Sequence, residues 1–127
     1  VLARRSGKTY YWLKVRYMAD GTVNLAEGRT VDGAESVIKE VKASGVTYAA
    51  GSKLRLKFSV NGTSTASLTG KVWPVGSAEP AAEQISGTDS TSALATSGSV
   101  GLRSYASGST TNVPITVSVD NFTATRQ

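Results

Sequence analysis

A strict two-residue alternation of apolar and polar side chains runs through residues 53–60. The apolar set is Leu54, Leu56, Phe58 and Val60, and the polar set is Lys53, Arg55, Lys57 and Ser59. Because successive side chains of a β-strand point to opposite faces, this pattern predicts a strand. One face of that strand is expected to lie in a core and the other in water.

Other parts of the chain predict further short strands joined by tight turns. The predicted strands cover residues 1–5, 9–18, 22–29, 35–42, 67–73, 83–87, 99–105 and 114–125. Between several of them lie Asp20-Gly21, Asp32-Gly33 and Asn61-Gly62, which supply the positive φ that tight turns need. Turn signals about every eight to twelve residues are typical of an antiparallel sandwich or barrel.

The last predicted strand carries Ile115, Val117 and Val119 on a single face. That face is expected to meet the apolar face of residues 53–60 in one inter-sheet core. The predicted core residues are Leu54, Leu56, Phe58, Val60, Val117 and Val119. Between the strands, residues 89–96 predict one helical turn, capped by Asp89 or Ser90.

Composition supports one all-β domain and removes several kinds of chemistry. The chain has 127 residues, of which 39% are hydrophobic, so it can build a single core. It contains no cysteine and no histidine. Disulfides and thiol chemistry are therefore excluded, together with the most common general base and zinc ligand. The longest apolar runs are too short to cross a bilayer, so no membrane insertion is expected.

The order of several short motifs resembles a known family. The motifs lie in residues 53–60, 68–73, 78–80, 100–105 and 117–122. Together they resemble the C-terminal part of laminin-G/concanavalin A-like jelly-roll domains. Such domains occur in actinobacterial secreted proteins and in minor tail proteins of actinobacterial phages. The resemblance implies that residues 1–127 form a single jelly-roll β-sandwich domain. Since the related domains are longer at the N-terminal side, it also implies that the N-terminal strands are lacking.

The acidic residues do not form a pattern that suits catalysis. Relatives of this fold that hydrolyse glucans place a carboxylate cluster along one strand, and retaining hydrolysis needs two carboxyl groups about 5 Å apart. Here Glu35 and Glu40 are five residues apart and are expected to face opposite sides of a strand. The chain is therefore predicted not to be an enzyme. No cofactor or metal is predicted. Oxygen atoms of Asp20, Asp120 and Asn121 could ligate calcium, but turn chemistry explains these residues as well.

Four aromatic residues are the candidate carbohydrate contacts. They are Trp73, Trp12, Tyr10 and Tyr105. Aromatic rings match the apolar C–H faces of sugar rings, and Trp73 is the first choice because it ends a strand beside a proline-containing loop. The alternative is that these rings only pack in the core or at its rim.

Lys53, Arg55 and Lys57 form a basic stripe that could contact an anionic polymer. The alternative is a solvated outer face that prevents strand edges from aggregating. Aromatic residues do not interleave with the stripe, which disfavours nucleic-acid binding.

These features predict a non-catalytic carbohydrate-binding or adhesion module. The resemblance implies a phage minor tail protein domain that recognises glycans on the host surface, located in the virion or secreted. The alternative is a structural β-sandwich of a virion or cell surface, whose faces serve subunit assembly. Expected partners are a surface glycan, other virion or surface proteins, and further copies of the chain.

Overall fold

The computed structural model of the protein describes residues 1–126. It contains eight strands and one 3₁₀-helix within that range. The strands are β1 (Leu2–Ser6), β2 (Thr9–Tyr17), β3 (Thr22–Val31), β4 (Ala34–Thr47), β5 (Leu54–Asn61), β6 (Ala66–Pro74), β7 (Ile85–Asp89) and β8 (Ser99–Gly101). The 3₁₀-helix is Ser92–Leu94.

The strands form two antiparallel sheets of unequal width. The five-stranded sheet has the order β4-β3-β2-β1-β8, and the three-stranded sheet has the order β5-β6-β7. Strands β3 and β4 contact strands β6 and β7 across the space between the sheets. The prediction of an all-β, antiparallel, sandwich-like architecture is therefore confirmed.

The predicted tight turns connect neighbouring strands. Asp32 and Gly33 have φ values of 50° and 90° and join β3 to β4. Gly21 and Gly62, with φ values of 79° and 89°, lie in the connections that follow β2 and β5. Glycine occupies most of these positions because it reaches positive φ without a clash of its Cβ.

Both sheets contribute side chains to the main part of the core. Its buried residues are Leu13, Val23, Leu25, Ala43 and Val46 from the five-stranded sheet, and Val72 and Ile85 from the three-stranded sheet. Gly70 lets the sheets approach closely, because a Cβ there would lie 2.7 Å from Leu13 and 2.9 Å from Ile85. The register of β5 and β6 runs through Gly70 without a bulge.

A polar contact also links the two sheets. The Tyr11 hydroxyl donates a hydrogen bond of 2.8 Å to Asp89, and Arg29 forms an ion pair with the same carboxylate. Burial acts to raise the pKa of Asp89, but the hydrogen bonds from Thr91 and Tyr11 lower it by more than that. The pKa of Asp89 is therefore below its ordinary value. Asp89 therefore stays ionised between the sheets, where its negative charge is compensated.

The alternation predicted for residues 53–60 is confirmed. Leu54, Leu56, Phe58 and Val60 are half-buried and pack against the core. Lys53, Arg55 and Lys57 are exposed. The incomplete burial of the apolar set follows from the position of β5 at the edge of its sheet.

The predicted strand 114–125 is wrong. Residues 102–126, called here the C-terminal segment, form neither helix nor strand. Val117 and Val119 are 59% and 60% exposed, and Ile115 is also exposed, so none of them joins the core with Phe58. The alternation in this segment is real, but no neighbouring strand of the same chain pairs with it.

Smaller differences concern the ends of elements. Strand β8 is shorter than the predicted strand 99–105, and β4 is longer than the predicted strand 35–42. The predicted helical turn is the short 3₁₀-helix, which begins after Thr91 and has no side-chain cap. Asp89 belongs to β7 instead, where its carboxylate binds Tyr11 and Arg29. Within residues 1–126, no helix is long enough and apolar enough to span a membrane.

One pair of substitutions tests whether the C-terminal segment lies outside the core. Leu68 is fully buried, so Leu68→Ala is expected to lower the free energy of unfolding by about 3 kcal/mol. Val117→Ala removes a side chain that is mostly in water, and its effect should stay within about 0.5 kcal/mol. Urea denaturation measures both values. A loss at Val117 as large as the loss at Leu68 would contradict the described core.

Candidate functional site

The four aromatic candidates lie in three separate places. Tyr10 and Trp12 point outward from β2, opposite to Tyr11 and Leu13, which enter the core. Trp73 lies on β6 beside Val72, whose side chain enters the core. Tyr105 is 80% exposed and belongs to the C-terminal segment. The structure therefore does not gather these rings into one aromatic platform.

Trp12 is covered although it points away from the core. Its side chain is only 2% exposed and lies directly over Gly28 of β3. The Lys14 ammonium is 4.2 Å from the centre of the Trp12 ring. The indole Nε1 has no hydrogen-bond partner, and neither has Oγ1 of Thr30, which pairs across the strands with Tyr10. With its faces occupied, the Trp12 ring is not available for a sugar to stack on.

Trp73 is similarly covered, with 8% of its surface exposed. It pairs in register with Arg55 of the basic stripe. Next to it, Lys57 and Lys71 share the Glu79 carboxylate at 2.9 Å and 3.2 Å. The hydrogen bond from Lys57 is the main reason that the pKa of Glu79 is lowered. The loop after β6 thus neutralises part of the stripe.

Tyr10 lines a shallow groove at one corner of the five-stranded sheet. The groove has a volume of about 560 Å³ and is called here the Tyr10 groove. Its lining residues are Leu2, Arg5, Gly7, Lys8, Tyr10, Gly33, Gly101, Leu102 and Arg103. They come from β1, the β1–β2 turn, the start of β2, the β3–β4 turn, and the end of β8 with the two residues after it. No local sequence pattern groups these residues, because contacts between distant parts of the chain bring them together.

Two hydrogen bonds hold the walls of the groove together. The backbone N–H of Gly33 donates to the carbonyl oxygen of Lys8 at 3.1 Å, which joins the two turns. The Arg103 guanidinium donates to the Tyr10 hydroxyl at 3.2 Å. Gly7, with φ of 57°, makes the tight turn at the tip of the β1–β2 hairpin. Short glycine turns therefore form one rim, and the Tyr10 ring is held at the other.

The groove is strongly positive. Arg5, Lys8 and Arg103 all line it and are exposed, and within residues 1–126 none of them forms an ion pair. No carboxylate lines the groove. The nearest acidic residue along the chain, Asp32, accepts a hydrogen bond from Thr9 instead. An anion in the groove would therefore meet three cationic groups and no carboxylate in the lining.

The outer face of the five-stranded sheet beside the groove is different, because several of its charges are paired. Lys14 binds Glu35, and Arg16 binds Glu40 at 2.8 Å. The expectation that Glu35 and Glu40 face opposite sides of a strand is wrong. The register of β3 and β4 shifts between Glu27 and Gly28, and this irregularity brings both carboxylates to cations on the same face.

The most perturbed carboxyl group in the described residues is Glu27 of β3. Its side chain is fully buried and neither carboxylate oxygen has a hydrogen-bond partner. It lies against Gly87 of β7, between the two sheets. Burial raises its pKa to about 7, although the charge of Lys39 acts in the opposite direction. Because no substrate can reach it without separating the sheets, Glu27 is a structural acid in this arrangement.

The calcium candidates are not brought together as a cluster. Asp20 accepts hydrogen bonds from the backbone N–H and the hydroxyl of Thr22, which fits its place at a turn. Asp120 and Asn121 lie in the exposed C-terminal segment. Within residues 1–126, there is no group of three or more acidic side chains that could hold a metal ion.

Comparisons with known proteins give no assignment. No family model, no curated protein and no solved structure matches this chain. The Tyr10 groove and the sequence are therefore the features that indicate a function.

Gly28→Ala tests the placement of Trp12. A Cβ at position 28 would overlap the indole ring and the carbonyl oxygen of Ser36. We expect a loss of about 2 kcal/mol in the free energy of unfolding, with a shift in indole fluorescence as the ring is displaced. Trp73→Phe as background leaves Trp12 as the single indole of the chain. Gly108→Ala, where a Cβ meets no atom within 4 Å, is the matched control. Unchanged fluorescence in Gly28→Ala would mean that Trp12 lies elsewhere.

Glu27 predicts a specific dependence of stability on pH. Its pKa rises from an ordinary 4.5 to about 7 on folding. The folded state therefore holds the proton more tightly, and stability falls as pH rises from 4.5 to 7, then levels off. The expected loss is about 3 kcal/mol. Glu27→Gln removes this titration, so its advantage over the wild type should grow between pH 5 and pH 8. Urea midpoints measure it, and parallel pH profiles of the two proteins would disprove the assignment.

Proposed function

We propose that this chain is a non-catalytic carbohydrate-binding module that takes an anionic glycan in the Tyr10 groove. One observation carries the proposal: the groove combines an aromatic ring with three cationic side chains and contains no carboxylate. Of the four aromatic candidates, Tyr10 is the one that lines this groove.

The groove chemistry suits a sugar that bears a carboxylate, phosphate or sulfate group. A half-exposed Tyr10 ring offers an apolar surface to the C–H face of a sugar. Arg5 and Arg103 can each donate two parallel hydrogen bonds to a planar or tetrahedral anion, whereas Lys8 adds a compact positive charge. The hydrogen bond from Arg103 to Tyr10 orients both groups before a ligand arrives.

Binding without catalysis is favoured by the same lining. Hydrolysis of a glycosidic bond ordinarily requires two carboxyl groups beside the bond. The Tyr10 groove has none, and the chain has no histidine that could serve as a base.

The resemblance supplies the biological setting of the proposal. A concanavalin A-like jelly roll in a phage minor tail protein or a secreted actinobacterial protein would use such a groove to adhere to a cell surface. The anionic polymers of a cell envelope are ligands of the required chemistry. The antiparallel two-sheet architecture is compatible with this setting.

The proposal predicts binding to an acidic polysaccharide that depends on the groove. Titration calorimetry with polygalacturonate is expected to give measurable binding, and Tyr10→Ala and Arg103→Ala should each weaken it about tenfold or more. Tyr10→Phe keeps the ring and should retain most of the affinity. Lys53→Ala is the matched control, because it removes an exposed cation of the basic stripe away from the groove.

Neutral dextran and dextran sulfate separate the sources of affinity. Dextran should bind far more weakly than polygalacturonate, because it offers no anion to the groove. Equal weakening by Lys53→Ala and Arg103→Ala with either polyanion would show diffuse charge attraction and contradict a defined site. The absence of binding to both polyanions would refute the proposal.

A further inference from the structure

Strand β5 presents a free edge. It pairs with β6 on one side, and no described residue pairs with it on the other. Such an edge carries backbone N–H and C=O groups that have no partner in the sheet. Its inward side chains, among them Leu56 and Phe58, are only half-buried. The edge of the three-stranded sheet at β5 therefore has unpaired backbone groups and incompletely buried apolar side chains.

The C-terminal segment has the complementary property. Ile115, Val117 and Val119 alternate with the polar residues Thr116 and Ser118, as in a strand that is buried on one face. These apolar side chains are at least half exposed, and the segment pairs with no strand. It has the sequence of a strand without the neighbours of one.

We propose that residues 114–125 of one copy of the chain add as a strand to the free β5 edge of a second copy. The added strand satisfies the unpaired backbone groups of β5, and its apolar face continues the row formed by Leu56 and Phe58. Two copies that exchange this segment reciprocally form a closed dimer. This pairing is independent of the Tyr10 groove and of its ligand.

Charge selects this pairing over direct contact between two β5 edges. Arg55 and Lys57 point outward from β5, and a second β5 would bring the same cations alongside them. Like charges on adjacent strands are destabilising. Residues 114–125 contain a single charged side chain, Asp120, and it is negative. The C-terminal segment is therefore the strand that the β5 edge accepts without repulsion.

The competing arrangement is that residues 114–125 pair with the β5 edge of their own copy. In the structure, residues 114–125 stay exposed and unpaired although they are tethered to the same chain. The β5 edge of a second copy would bury their apolar side chains. A second copy supplies one, and its concentration then controls the association.

Sedimentation of the full chain across a range of concentrations tests the proposal. We expect a monomer at low concentration and a dimer or larger species at high concentration. The double substitution Val117→Asp/Val119→Asp places charge on the apolar face and should raise the dissociation constant about tenfold or more. Because both side chains are exposed in the single copy, this variant should keep the thermal unfolding of the wild type at concentrations where the wild type is monomeric.

Substitutions on the opposite face provide a control with the opposite sign. Thr116→Asp/Ser118→Asp places acidic groups beside the outward cations of β5, so association should be retained or strengthened. Adding Arg55→Glu to that variant should reverse the gain. A monomer at all concentrations would overturn the proposal, as would association that Val117→Asp/Val119→Asp leaves unchanged.

Discussion

The alternation of side chains along β2 is the constraint on which the rest of the structure depends. Tyr11 and Leu13 enter the space between the sheets, where Leu13 packs beside Gly70 and Tyr11 binds Asp89. Tyr10 and Trp12 consequently face outward. A slip of one residue would exchange these sets, moving Trp12 between the sheets, exposing Leu13 and taking the Tyr11 hydroxyl away from Asp89. Core, cross-sheet polar contact and Tyr10 groove therefore share one register.

Charge is distributed so that the groove is left unbalanced. The chain carries a formal net charge of +5. Glutamates neutralise some of the cations on the outer faces: Glu35 and Glu40 pair with β2, and Glu79 pairs with Lys57 and Lys71. The cations at the Tyr10 groove have no such partner among residues 1–126. Since paired charges contribute little field at a distance, the three unpaired cations that line the Tyr10 groove make this corner locally positive.

Local patterns predicted much of this fold because strands and tight turns depend mainly on residues that are close together in the sequence. The alternation in residues 53–60 and the Asp32-Gly33 turn required no knowledge of distant contacts. The strand predicted for residues 114–125 is wrong for the opposite reason. Its alternation indicates a strand, but a strand also needs a neighbour, and no sequence pattern states which edge is available.

The candidate site could be predicted only in part. Tyr10 was among the proposed carbohydrate contacts, whereas Arg5, Lys8 and Arg103 were not. Arg103 reaches Tyr10 across 93 positions of the chain, and local periodicity contains no information about that contact. The shared face of Glu35 and Glu40 was missed because a shift in strand register leaves no clear mark in composition.

The buried core is built mainly from β2, β3, β4, β6 and β7, and the C-terminal segment lies outside it. Amide hydrogen exchange on a dilute, monomeric sample tests this most directly. Amides in the centres of β2, β3 and β6 are expected to exchange slowest, whereas amides of residues 115–119 are expected to exchange at the rate of an unstructured chain. Protection of residues 115–119 equal to that of β6 in the monomer would contradict this placement of the segment.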